Sequence, residues 1–362
     1  MNVRIPVRHW LLGALVHAGC SASPPPAEPP PAVIALTRSG LVSFRMSPDG
    51  VLVQVPDSGT VESSGMVRIL ADAGIAFSLR ARDVVVARAD PATGKLSELG
   101  GSPYATGLQD PTGLALAPDG RFLYVSGNGG ADPSACVAGF TVDASSGTLS
   151  PIPGTPLAIS RSNCWSVASA PDGGFLYLSE GISSADGTAG NLLTFRVDPR
   201  TGALSQVGAA PDAVAPGPDL FPAHLATVQG GVVALFDSTD FGATGTLGVL
   251  LLDPPDGGSV GPPAAPTTPV SSDFLSELFA TPDGRFVLLS SAGGGMAVYA
   301  IENGRALGTS FQPASPAFAG ATFDPSGRFV LVADRLSDAV AVFALDAGTL
   351  VPVPGGPFLY RP

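Results

Sequence analysis

From residue 32 onward the apolar positions come in short bursts. AVIALT (32–37), GLALA (113–117), RFLYVSG (121–127) and CVAGFTV (136–142) are examples, each broken within a few residues by Gly, Pro, Asp or Ser. Bursts of this length bounded by turn residues predict β-strands rather than helices. The bursts also repeat. APDGRFLYVSGN (117–128) returns as APDGGFLYLSEG (170–181), TPDGRFVLLSSA (281–292) and DPSGRFVLVADR (324–335). Units two and five carry the degenerate versions ADAGIAFSLR (71–80) and VQGGVVALFD (228–237).

A second phrase follows the first: FTVDASSGTL (140–149), FRVDPRTGAL (195–204) and FALDAGTL (343–350). Weaker copies are FRMSPDGVL (44–52), ARADPATGKL (87–96), LLDPPDGGSV (251–260) and YAIENGRAL (299–307). The apolar residues that close these copies are Leu52, Leu96, Leu149, Leu204, Val260, Leu307 and Leu350, at intervals of 44, 53, 55, 56, 47 and 43 residues. Seven units with this period and four short strands each predict an all-β, seven-bladed propeller of antiparallel blades over residues 32–362. In unit three the strands read PTGLALA (111–117, strand A), RFLYVSG (121–127, B), CVAGFTV (136–142, C) and TLSPI (148–152, D). The Asp-Gly and Ser-Gly pairs supply the positive φ angles of tight hairpins. The first unit opens at strand B and lacks an A strand. A ring must not leave an edge open, so the tail PFLYRP (357–362) is expected to enter the first blade as its innermost strand.

Composition agrees with many strands and turns: 46 Gly, 37 Pro, 45% hydrophobic and 13% charged residues. The first residues stand apart. Arg4 and Arg8 precede an apolar run, Trp10 to Val16, and HAGC follows at 17–20. Residues 1–19 read as a secretory signal, too short for a membrane span. Cys20 then falls at a lipobox-like site and would be lipidated; His17 departs from the usual pattern, and plain cleavage is the alternative. Residues 20–31 are a Pro-rich tether. The protein is therefore expected outside the cytoplasm, as a bacterial envelope lipoprotein or otherwise secreted. Removing 1–19 takes away two Arg and no acid, so the net charge goes from −12 to −14. That balance, with Lys95 the only lysine, excludes nucleic acid as a partner class. Membrane contact would come only through the lipid anchor, and a monomer is expected.

The repeat phrases resemble those of the seven-bladed lactonase-type propellers, which include 6-phosphogluconolactonase-like proteins and surface repeat proteins. The resemblance covers about residues 32–362 and implies the propeller fold. It also implies a lactone-hydrolysing site, with a His at the start of an inner strand. FPAHLA (221–226) keeps His224. DRLSDAV (334–340) keeps Asp334 and Asp338 but has Ala339 where the family has Arg, and FLSELFATPDG (274–284) lacks the family's Arg-His pair. A phosphorylated lactone thus lacks its implied anion clamp.

Alternating strands put the A–B and C–D turns on one face and the B–C and D–A loops on the other. The second set is long in units three to five: GNGGADPSA (127–135), GISSADGTAG (181–190) and STDFGATG (238–245). Long loops on one face of a rigid scaffold are a usual place for binding. Trp165, Glu180, His224, Asp237, Asp240, Asp334 and Asp338 project there. His224 suits a general base, or a hydrogen-bonded residue at a strand start. One His among scattered Asp is no zinc site. The acids are of the oxygen type that Ca²⁺ takes, but no DxDxDG loop occurs, so no cofactor is implied.

Cys136 and Cys164 remain as an even pair in an exported chain and predict a disulfide, with two separate buried thiols as the alternative. Both open strands on the loop-bearing face. Strands A and C of one blade lie roughly 10 Å apart, beyond the roughly 7 Å of a bridge, but the crossing between blades brings the next A strand inward. The first functional reading is a binding module of the cell envelope for a small molecule, glycan or envelope protein. The alternative is a lactonase-like hydrolase with His224 as general base.

Overall fold

The computed structural model describes residues 32–361 except 38, 64–65, 71–72, 130, 133, 160–163, 182–190, 208–211, 214–219, 229–230, 239–243, 252–267, 272–274, 292–294, 304, 314–317, 325 and 335–337. The signal, Cys20 and the tether lie outside the described residues.

Every described element is a strand. The first sheet holds β1 (Ala32–Thr37), β2 (Gly40–Met46) and β3 (Leu52–Gln54). The second runs β4 (Val67–Leu70), β5 (Ile75–Arg80), β6 (Asp83–Ala89) and β7 (Leu96–Glu98), with β8 (Tyr104–Ala105) also on β6. The third runs β9 (Asp110–Leu116), β10 (Phe122–Asn128), β11 (Ala135–Val142) and β12 (Leu149–Pro151), with β13 (Leu157–Ala158) on β11. The fourth runs β14 (Cys164–Ser169), β15 (Phe175–Glu180), β16 (Asn191–Val197) and β17 (Leu204–Gln206), with β18 (Asp212–Ala213) on β16. The fifth runs β19 (Leu220–Val228), β20 (Gly231–Ser238), β21 (Thr244–Leu251) and β22 (Thr268–Ser271). The sixth runs β23 (Leu275–Ala280), β24 (Phe286–Ser291), β25 (Gly295–Glu302) and β26 (Arg305–Pro313). The last runs β27 (Phe318–Phe323), β28 (Phe329–Asp334), β29 (Ala339–Asp346) and β30 (Thr349–Pro352), with β31 (Phe358–Leu359) on β29.

The expected all-β propeller is present, with strands A to D in the predicted order in each full blade. Two details differ. Six sheets hold four or five strands, while the first unit forms a sheet of three, so among the described residues six blades are complete rather than seven. The tail does not supply the missing strand: Val340 pairs with Phe358 and Ala339 with Leu359, on the last sheet. The reason is in the repeat itself. VPGGPFL (353–359) is a copy of the phrases that follow strand D in units two and three, LGGSPYA (99–105) and IPGTPLA (152–158). All three return to strand C of their own blade.

Packing follows from strand alternation, which sends successive side chains to opposite faces. Leu123 and Val125 of β10 join a cluster with the second sheet, and Phe122 and Tyr124 join one with the fourth. Each hydrophobic cluster is shared in this way by two neighbouring sheets, including the last with the first, where Phe44 and Val42 meet Leu331, Val342 and Tyr360. The seam between those two sheets is held by side chains. Asp338 Oδ1 accepts the Ser39 N–H at 2.9 Å, and Gln54 exchanges two bonds with the Arg361 backbone at 2.6 and 2.9 Å. The Tyr360 ring packs on Phe44 edge-on, with centroids 6.3 Å apart.

The opening phrase PDGRF is a complete local device. Asp119 Oδ1 accepts the Arg121 N–H at 3.0 Å, and Gly120 turns the chain at φ 71°. The Arg121 guanidinium lies 5.2 Å from the Phe122 ring centroid; Arg285 on Phe286 and Arg328 on Phe329 repeat this contact at 5.3 and 5.2 Å. In the second phrase, Asp143 Oδ1 accepts from the Ser145 hydroxyl and the Ser145 and Ser146 amides. The Ser145 hydroxyl bond, then these amide bonds, hold its pKa down at about 2. The repeated Asp therefore shapes a turn.

Candidate functional site

The innermost strands β4, β9, β14, β19, β23 and β27 lie side by side in blade order. Each from β9 to β27 carries a register shift near its start, between Pro111 and Gly113, Cys164 and Val167, Pro222 and His224, Leu275 and Glu277, and Phe318 and Gly320. A bulge of this kind re-aims the chain and leaves backbone groups to be satisfied from elsewhere. In the fourth blade a serine of the adjacent B strand does this. Ser179 Oγ accepts the Ser166 N–H at 2.7 Å and donates to the Ser166 carbonyl at 3.3 Å. Ser126, Ser179 and Ser290 occupy the same place in their blades and are fully buried.

The residue at the end of each bulge is equivalent from blade to blade: Gly113, His224, Glu277 and Gly320 are the first paired residues after it, and Ser166 directly precedes the first paired residue, Val167. Each lies five positions before the proline of the A–B turn, or before Gln229 in the degenerate fifth unit. In the third blade a side chain has no room here, because a Cβ on Gly113 would collide with Ser126 Oγ. In the next three blades the position is polar, and reads Ser, His, Glu. Sequence reading singled out only His224 of these. Counting back from each turn would have found the other two.

His224 pairs with Leu235 on β20. The residue keeps some accessible surface, yet burial among its neighbours lowers its pKa from 6.5 to about 4. Its imidazole is neutral at physiological pH. The strand that carries it is tied to β14 twice: Ser166 Oγ accepts the Leu225 N–H at 3.1 Å, and Thr227 Oγ1 donates to the Ser169 carbonyl at 2.9 Å.

The other expected residues divide between the site and the framework. Trp165 sits within the β14 bulge, its carbonyl accepting from Ser126 Oγ at 3.5 Å. Glu180 ends β15 fully buried, and its Oε2 accepts from Asn191 Nδ2 at 2.9 Å. Asp237 stands opposite Phe221, and Asp334 opposite Phe318. Asp240 lies outside the described residues, as do the loop residues 182–190 and 239–243. Asp338 ties the last sheet to the first, since its carboxylate holds the Ser39 amide and its carbonyl accepts the Tyr360 N–H at 2.6 Å. Among the described residues no three His, Cys, Asp or Glu side chains gather as a metal would require. A cavity of about 340 Å³ bounded by Leu289, Tyr299, Gly308 and Phe311 lies on the sixth blade between β25 and the outer β26, away from the inner strands.

Cys136 and Cys164 form a disulfide, with Cα atoms 5.8 Å apart. The spacing within one blade does not apply, because β14 belongs to the next blade and packs against β10 as well as β9. The Cys164 N–H is held by Asn128 Oδ1 at 2.6 Å and its carbonyl by Thr112 Oγ1 at 2.9 Å. The bridge thus fixes the start of the strand that carries Trp165 and Ser166.

Sheets packed face to face around a row of inner strands define a β-propeller. A family model described as "Lactonase, 7-bladed beta-propeller" matches residues 261–353. Three solved structures share the fold. One, from Bacteroides uniformis, is of a protein proposed to be a 6-phosphogluconolactonase: TM-score 0.67, 17% identity, covering 90% of this chain and 96% of that one. A periplasmic gluconolactonase from Pseudomonas aeruginosa gives 0.65 and 20%, with the same coverage. A third, from Bacteroides fragilis and likewise proposed to be a 6-phosphogluconolactonase, gives 0.64 and 17%, covering 91% and 95%. No curated protein matches. The likeness to the lactonase-type propellers that the repeat phrases carry is shown by the matched segment and these structures together.

Proposed function

We propose that this protein hydrolyses a lactone at the inner strands of the fourth to sixth blades, outside the cytoplasm. The observation that carries the reading is His224: a neutral imidazole on an innermost strand, with Ser166 and Glu277 at the same distance from the turn on the two neighbouring inner strands. Its nitrogen would take a proton from water as the water oxygen attacks the lactone carbonyl. Collapse of the tetrahedral intermediate breaks the ring C–O bond, and the imidazolium returns the proton to the leaving alkoxide. The products are one hydroxy acid and the free base. The solved relatives named for lactone hydrolysis favour this reading over a binding module, which has no comparable support. The disulfide and the periplasmic relative support export, and lipidation at Cys20 would follow from it. The test is a panel of sugar lactones, with and without phosphate, assayed against the wild type and His224→Ala. Hydrolysis lost in the variant supports the reading, and equal rates in both overturn it.

A further inference from the structure

We infer that Ser166 is a positioning residue for His224, acting across the boundary between the fourth and fifth blades; this rests on the lactonase reading above. Ser179 holds the inner-strand position of its own blade from the adjacent B strand, and Ser126 and Ser290 stand at the same place opposite Gly113 and Glu277. The fifth blade has no such residue, because Leu235 stands opposite His224. Ser166 supplies the missing hydroxyl from the neighbouring blade. It is 6% exposed, and its Oγ accepts the N–H of Leu225, the residue directly after His224, at 3.1 Å.

Ser166 is itself fixed. Its own amide and carbonyl are both engaged by Ser179, and the disulfide at Cys164 sits two residues upstream. A run of hydroxyls therefore leads from Ser179 through Ser166 to the backbone beside the base. Leu225 directs its N–H to Ser166, so removing Oγ takes that acceptor away and frees the His224 backbone to shift. A shift of about 1 Å at a catalytic group costs up to about a hundredfold in rate without changing what binds.

The experiment compares Ser166→Ala, Ser166→Thr and Thr227→Val with the wild type on glucono-δ-lactone. Thr227→Val removes the other bond between the same two strands and serves as the control for loosened packing. The expected result is a loss of kcat of at least tenfold in Ser166→Ala with KM within twofold, recovery in Ser166→Thr, and kcat within twofold in Thr227→Val. Amide exchange at Leu225 should quicken at least tenfold in Ser166→Ala, and this readout needs no activity. Unchanged exchange, or equal kcat losses in Ser166→Ala and Thr227→Val, overturns the positioning role and leaves the lactonase reading standing. An acyl adduct on Ser166, seen by mass spectrometry, also overturns it, by making Ser166 the nucleophile. A wild type inactive on every lactone of the panel removes the lactonase reading and this role together.

Discussion

The hydroxyl of Tyr124 donates to the carbonyl of Gly202, 2.8 Å away in the C–D turn of the next blade. Tyr124 is fully buried, and burial pushes its pKa up. Similar contacts recur between other blades: Ser43 Oγ donates to the Gly94 carbonyl at 2.7 Å, and Thr309 Oγ1 to the Gly348 carbonyl at 2.8 Å. Arginines reach the same turns. Arg45 donates to the Pro91 and Ala92 carbonyls, Arg88 to Ser145 and Arg121 to Pro199. The C–D turn of one blade is thus a plug in the side of the blade before it.

Tyr124→Phe should leave the Gly202 carbonyl buried and unbonded, at a cost of about 1–3 kcal/mol. Gly202→Ala should cost more. Gly202 has φ 73°, and a methyl there would lie 2.5 Å from Phe122 and 2.7 Å from Ile152. Urea unfolding of the two variants, read by far-UV circular dichroism, checks both the losses and their order.

Breaking the disulfide should destabilise the domain. Cys136 and Cys164 are 28 positions apart, and a loop of that size corresponds to about 3.5 kcal/mol on the chain-entropy model. Unfolded, unreduced protein should show no reactive thiol from these two positions, and the melting temperature should fall on reduction. Two titratable thiols would contradict the bond.

The seam between the last and first sheets gives a third expectation. Tyr360 is 6% exposed, packs on Phe44 and bonds the Ser58 carbonyl at 3.3 Å. Tyr360→Ala should cost about 3–5 kcal/mol, in the range of buried aromatic truncations, whereas Tyr360→Phe should cost about 1 kcal/mol. Differential scanning calorimetry separates the two; near-identical melting of the wild type and Tyr360→Ala would show that the seam does not depend on the ring.

Acid should act through His224. Its pKa is lowered on folding, so the unfolded chain binds the proton first. Stability from this group is therefore full above pH 6.5 and falls as the pH drops from 6.5 towards 4. The loss is no more than about 3 kcal/mol, and less in so far as the residue keeps surface. Activity should hold level above pH 5 and fall through pH 4, as the base takes up its proton. His224→Gln should flatten the stability profile over the same interval.

Much of the fold was legible because turn chemistry is local. PDGRF and the Asp-to-Gly phrase carry their own hydrogen bonds and glycine angles, so each copy announces a hairpin wherever it stands. The destination of the tail was not legible from strand counting, which treated PFLYRP as a spare strand; its kinship with SPYA and TPLA was the better signal. At the site, His224 stood out by residue type alone. Ser166 and Glu277 are ordinary residues in sequence and become notable only when the A strands are set in register. Asp338 shows the converse. A carboxylate near a loop reads as a ligand, but here it accepts a backbone N–H across the seam.

The bulge-closing position also bears on how such a protein changes over time. It recurs in successive blades at one height and lies outside the face-to-face clusters that hold the blades together. A substitution there changes the chemistry presented by one blade without touching the apolar clusters, although at Ser166 it also reaches the backbone of the next blade. New specificity can therefore be reached by single steps at those of the equivalent places that have room for a side chain, without the fold having to be rebuilt.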